Sequence, residues 1–416
     1  MPSPRTQPAG IPSTVNARPS DPAEVLADWA LRSTPTDADL ELAGRSLIDT
    51  LSVAVTGLEH DGARFAALLG PAGRLAALAH LIDYDDLHVA TTTHISAVCV
   101  AAAVATGGGS DSYLAGAGVM ARLGAMLGWR HYQAGWHATC TAGAPAAAVT
   151  AGVALGLDTD ALRTAIALAV PAAGGVNRAF GTSAKSLQVG FAVDAGVRAA
   201  RLSAARATAD PGALGQWLAL VGGKPADVPV APAIPGGLAI KVYPCCYALQ
   251  RPIAATVAAL DGERVTASRV REVVVRAPLG TTTPLIHHRP RTGLEGKFSL
   301  EYGIAAAILD GHPRLGSFAD DAVQRPEAQG LLELVRLDAS PGGDDLLNGC
   351  TEVEIRLDGG ASFAAALEIP PGAPDRPLSD EELARKAHDC AGDQAAEIIG
   401  GDWASASALV KRWFEG

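Results

Sequence analysis

Two stretches, ISAVCVAAAVATGGG (residues 95–109) and ATCTAGAPAAAVTAGVALGL (residues 138–157), are built mostly from Ala, Gly, Val and Thr. Neither carries the charge expected of a surface helix, and neither has the bulk to fill a core alone. Such runs fold as helices packed tightly against neighbours, because small side chains let two helix axes come close. They are poor in Leu and Phe, no aromatic belt flanks them, and the second contains Pro145. Buried core helices are therefore expected here, not membrane spans.

A chain of 416 residues has room for two domains and a sizeable core. Its net charge is -11 and it has no long Lys/Arg run, which argues against nucleic acid and anionic membrane as partners. Six cysteines (Cys99, Cys140, Cys245, Cys246, Cys350, Cys390) form no C-x-x-C pair. They read as reduced, buried thiols of a cytoplasmic protein. The first 21 residues are rich in Pro and Ser and hold no apolar core segment. They read as a disordered tail and not as a secretory signal.

From residue 22 to about 225 the pattern is helix after helix. Asp21 caps PAEVLADWALRS, with Pro22 at the first helical position. The segment TDADLELAGRSLIDTLSVAVTG has helical spacing and a stop expected at Gly57. No β-α-β alternation is present. Near residue 238 the texture changes. LAIKVYP, RVREVVVRAP and CTEVEIRLDGGASFAAALEIP read as strands, the last folded at Asp358-Gly359 into a hairpin. Ser379 and Glu382 then stand at capping-box spacing before a helix. The expected fold is mainly α with an α+β second domain. A helical domain spans 22–237 and 384–416, an α+β lid spans 238–383, and ligands bind in the cleft between them.

Several groups invite a chemical reading. Asp83, Asp85, Asp86 and His88 crowd six positions ahead of the first small-residue helix, which His94 opens. An EF-hand would need an oxygen ligand at position 87 and then Gly. The chain has Leu87 and His88, and no H-E-x-x-H or Cys/His cluster, so no metal is expected. Gly116, Gly118 and Ala121 match a loose G-x-G-x-x-A, but no strand precedes them. A close helix contact explains them better. His137, beside Trp136, reads either as a core histidine or as a catalyst. Lys185 and Lys241 sit among apolar residues, where an ammonium is costly to bury. They read as carboxylate clamps, as acids of lowered pKa, or as snorkelling stems. Arg289 and Arg291 can fork a carboxylate or lie in a surface loop.

Six motifs occur in order: DYDDLHxxxxxH, GWHATxTAGA, AKSLQVG, KVYPCC, RPRTGLEGKFSLEY and RPLSDEEL. Together, over residues 22–400, they resemble the MmgE/PrpD family, which includes 2-methylcitrate dehydratase, cis-aconitate decarboxylase and iminodisuccinate epimerase. The resemblance implies a large all-helical domain with an α+β lid, a homodimer, and an active site at the seam that needs neither metal nor organic cofactor. It puts the site on Asp83, His94, His137, Lys185 and Lys241, with Tyr302 as a substrate contact from the lid. Arg289, Arg291 and Gln188 join Tyr302 as expected substrate-binding residues. Two positions depart from the usual pattern: Leu87 replaces a Thr, and Gln188 replaces a His. The implied function is a cofactor-independent lyase that dehydrates or decarboxylates a small di- or tricarboxylic acid. His94 and His137 would transfer protons, and Lys185 and Lys241 would serve as clamps or acids. Asp83 would position an imidazole or a lysine. Epimerisation of an iminodisuccinate-like acid is the alternative, and a non-catalytic binding dimer the minor one.

Overall fold

The computed structural model describes residues 21–226, 228–342, 346 and 349–415. Apart from Asp21, the expected tail lies outside them. The body is built around two of its small-residue helices. Ala138–Ala154 packs against Ala184–Ala204, Ser110–Gln133 and Ile95–Thr106, and Pro71–Leu81 packs on Ala184–Ala204 and Asp37–Glu59. Asp21 caps Pro22–Arg32, its side chain accepting from the Ala23 N–H. Both small-residue runs are buried and helical, as expected, with Pro145 inside the second helix.

Two glycines show why the packing is so close. A Cβ at Gly116 would lie 1.7 Å from the Thr150 hydroxyl oxygen, so the loose nucleotide-like pattern is a helix contact. Gly57 is not a helix stop, since Asp37–Glu59 runs through it. A Cβ there would meet the Leu78 carbonyl oxygen at 2.3 Å. The glycine is needed for close approach of two helices, not for a turn.

The lid holds one four-stranded sheet in the order β2-β1-β3-β4, with β1 Val270–Pro278, β2 Val335–Ser340, β3 Thr351–Leu357 and β4 Ser362–Leu367. β3 and β4 form the expected hairpin, in register from Thr351 opposite Leu367 to Arg356 opposite Ser362. β2 runs parallel to β1 at the edge. Its mostly exposed VRLDAS hides it from an alternation-based reading. The helix Tyr247–Leu260 covers β3 and β4 and packs on Leu300–Asp310.

LAIKVYP does not form the expected strand. It makes a single bridge, Ala239 with Leu87. The next backbone donors, Val242 and Tyr243 N–H, are taken by the Gln250 side-chain oxygen, so no sheet partner is required. The segment is a buried crossing between body and lid. The helix that returns to the body starts at Asp380, with the Ser379/Glu382 capping box formed. The division drawn at 383/384 therefore falls inside this helix. It packs on Asp37–Glu59, and Trp403–Glu415 packs on Ile95–Thr106. Among the described residues, no helix is long and apolar enough to cross a membrane.

Candidate active site

The chain leaves the helix Pro71–Leu81 and turns at once. Asp83 takes a left-handed backbone, φ 54°. That conformation is uncommon outside glycine and clusters at functional sites. It holds the buried Asp83 carboxylate against two ammonium groups. Lys185 Nζ donates to Oδ1 at 2.9 Å, and Lys241 Nζ donates to the same oxygen at 3.2 Å and to the Asp83 carbonyl at 2.7 Å. Burial opposes ionisation of Asp83, but the two lysines outweigh it and hold the carboxyl below its usual range. Lys241 is fully buried; Asp83 and Asp85 outweigh that burial and raise its pKa above 10.5.

The neighbouring acids have other tasks. Asp85 Oδ2 lies 2.7 Å from His80 Nδ1 and 3.1 Å from His94 Nδ1. Burial opposes its charge, and the two imidazoles hold its carboxyl well below the usual range. Asp86 accepts from the Ser96 N–H and hydroxyl, tying down the start of Ile95–Thr106. Burial pushes its carboxyl up to about 7. His88 is structural: it contacts the Thr91 hydroxyl and the Pro235 carbonyl, each at 2.7 Å.

His94 and His137 each stand immediately before a small-residue helix. Burial lowers the pKa of both, and the Lys185 charge lowers that of His137 further, so both are neutral imidazoles. The His137 proton can be placed. Gln188 Oε1 accepts from Val176 N–H at 3.1 Å and its Nε2 donates to the Val176 carbonyl at 3.2 Å, which fixes the amide orientation. The same Nε2 lies 2.7 Å from His137 Nδ1, which must therefore accept. His137 carries its proton on Nε2. His94 turns its Nδ1 to Asp85 Oδ2 at 3.1 Å, without hydrogen-bond geometry, and its Nε2 lies 3.8 Å from Asp83 Oδ1.

Asp83, His94, His137 and Lys185 line one side of a narrow cavity at the seam. Leu87, Tyr132, Phe180, Phe298 and the buried Cys246, whose thiol burial pushes up to about 12, are among the other lining residues. Lys241 is not among the lining residues and meets the site through Asp83. A larger groove runs along the other side of Lys241. Its charges are of mixed sign, and Arg314 pairs there with Asp389, so it gathers no comparable cluster.

The structure places the other expected substrate contacts elsewhere. Tyr302 is fully buried in the lid, its hydroxyl donating to the Ser317 carbonyl. Arg289 and Arg291 are exposed, Arg289 donating to the His288 and Leu332 carbonyls. Gln188 spends its amide on Val176 and His137, not on the cavity.

Sequence reasoning missed His80 and gave Asp85, which it had noticed, no part in the site. His80 lies between Asp85 and Lys185, stacked on His137 at 5.6 Å and edge-on to His94 at 4.5 Å. The spacing H-x-x-D-x-D held the signal, since it puts three polar groups at one helix end. His80, Asp83, Asp85 and His94 each offer a ligand atom within 4.8 Å of the others, a spacing able to hold a metal ion. Lys185 already engages His80 and Asp83 there, so an ammonium supplies the positive charge.

Comparison with known proteins places these residues in a family. The MmgE/PrpD N-terminal domain matches residues 69–216 and the C-terminal domain matches residues 243–399. The chain is 27% identical over 292 residues to a cis-aconitate decarboxylase of Aspergillus terreus, covering 63% of this chain and 59% of that protein. It is 26% identical over 301 residues to the cis-aconitate decarboxylase of Homo sapiens, covering 66% and 59%. The matched segment thus spans under two thirds of either relative. The N-terminal match contains Asp83, His94, His137 and Lys185, the C-terminal match contains most of the lid, and the chain belongs to the MmgE/PrpD family.

Proposed function

We propose that the protein is a cofactor-independent lyase that removes water or CO2 from a small di- or tricarboxylic acid. The observation that carries this reading is the Asp83–Lys185–Lys241 cluster beside neutral His94, closed into a cavity walled on its other side by aromatic and aliphatic groups. In both reactions charge develops on a carbon next to a carboxylate, and a proton is delivered or removed there. Lys185 Nζ holds a carboxylate. His94, oriented by Asp85, transfers the proton through Nε2. His137 offers its Nε2–H to the developing negative charge. The dry surroundings strengthen each contact. Decarboxylation of cis-aconitate, the activity of the relatives' name, belongs to this class.

NMR of polycarboxylates incubated with the protein in deuterated water tests it, after exhaustive chelation and dialysis. Loss of water or CO2 is expected, falling by ~10²-fold or more in H94Q. Deuterium exchange without a new product would make the protein an isomerase. Activity that returns only with an added metal would end the cofactor-independent reading.

A further inference from the structure

His80 is fully buried and stands behind the cavity without lining it. Its Nδ1 lies 2.7 Å from Asp85 Oδ2, and its Nε2 lies 2.5 Å from Lys185 Nζ. An ionised carboxylate only accepts hydrogen bonds and an ammonium only donates them. One protonation state satisfies both contacts: Nδ1–H donates to Asp85, and the bare Nε2 accepts from Lys185. The other tautomer would face two donors at one end and two acceptors at the other. An imidazolium would point an N–H at the ammonium.

We propose that His80 is a positioning residue for Lys185, with Asp85 fixing the imidazole so that it takes one of the three ammonium N–H groups. Asp83 Oδ1 takes the second at 2.9 Å. The third is left for the cavity that Lys185 lines. A flexible four-carbon side chain is thereby held with one donor free for a substrate carboxylate. The inference rests on the reading of Lys185 as the carboxylate clamp. Stacking on His137 at 25° and edge contact with His94 let the same ring space the three imidazoles.

Two measurements test this. Long-range 1H–15N spectra of the 15N-histidine-labelled protein should show His80 neutral with its proton on Nδ1 across the neutral pH range, a preference lost in D85N. A proton on Nε2 overturns the proposal. In kinetics, H80F keeps a ring of similar shape but neither nitrogen, and H80Q restores an acceptor near the Nε2 position. H80F should raise KM for a tricarboxylate such as cis-aconitate about tenfold to a hundredfold, the scale of one hydrogen bond to a charged group, with a much smaller change in kcat. H80Q should recover most of that loss. An unchanged KM in H80F, or H80Q as poor as H80F, overturns the proposal. A parent protein that neither binds nor turns over any polycarboxylate sinks the clamp reading of Lys185, while the tautomer still decides the role of His80.

Discussion

Two buried lysine–aspartate clusters lie on either side of Tyr84, and they do different work. In one, Lys386 from the returning helix meets Asp49 Oδ1 at 2.6 Å, donates to the Tyr84 carbonyl at 2.9 Å and covers the Tyr84 ring at 3.9 Å. In the other, Asp83 holds both Lys185 and Lys241. Burial is similar: all three lysines are no more than 5% exposed. The first cluster has one cation for one carboxylate and, among the described residues, no imidazole in contact, and it joins the C-terminal helix to the body. The second gathers two lysines, two carboxylates, Asp83 and Asp85, and three imidazoles, His80, His94 and His137. Imidazoles that line a cavity beside a lysine, His94 and His137 with Lys185, mark the chemical cluster, and burial of a charge does not.

The sharpest contrast is between K185M and K386M. K185M should cut turnover by about 10²-fold or more through loss of an oriented charge, with little loss of stability, since Asp83 keeps Lys241. K386M leaves Asp49 buried without its cation, which should cost about 3–5 kcal/mol of stability. Turnover per folded molecule should stay close to that of the parent. Urea unfolding and initial rates on both variants read the two effects. Equal rate losses would dissolve the distinction.

Acid should separate the clusters as well. Burial outweighs Lys386 at Asp49 and raises its pKa above 3.8, whereas the two lysines lower that of Asp83 below it. The folded state therefore binds a proton at Asp49 before the unfolded chain does, and the Asp49 contribution to stability rises as pH falls towards 3.8. Asp83 contributes fully above 3.8, and its contribution is lost as pH falls through its lower folded value. The parent should gain stability relative to D49N on acidification, and the stability deficit of D83N should shrink only below about 3.8. Denaturant titrations across pH check both signs; parallel curves for the two variants would break the contrast.

The smallest effect is expected at the arginines that sequence alone suggested as clamps. Arg289 and Arg291 are exposed, and surface charge contacts are worth about 1 kcal/mol or less. The double variant R289A/R291A should keep kcat/KM near that of the parent. A loss of tenfold or more would bring this loop to the substrate.

Several features were readable from the chain alone, because their physics is local. Small-residue runs can only pack as close helices, Ser379 and Glu382 cap the helix they precede, and Asp358-Gly359 turns a hairpin. Lys185 and Lys241 stood out because an ammonium among apolar residues needs a counter-charge wherever it goes. The roles of individual polar groups were not local. Asp83, Asp85 and Asp86 look alike in DYDD, yet one holds two lysines, one anchors two imidazoles, and one ties down a helix start. His80 and His88 bracket the same turn, and only His80 reaches Lys185. The partners of Asp83 lie far along the chain, Lys185 at 102 residues and Lys241 at 158, whereas Asp85 and Asp86 meet His80, His94 and Ser96 close by. A carboxylate or imidazole takes its function from the charge and the donors within about 3 Å of it, and for Asp83 and His80 that neighbourhood exists only once the helix carrying Lys185 has packed beside them.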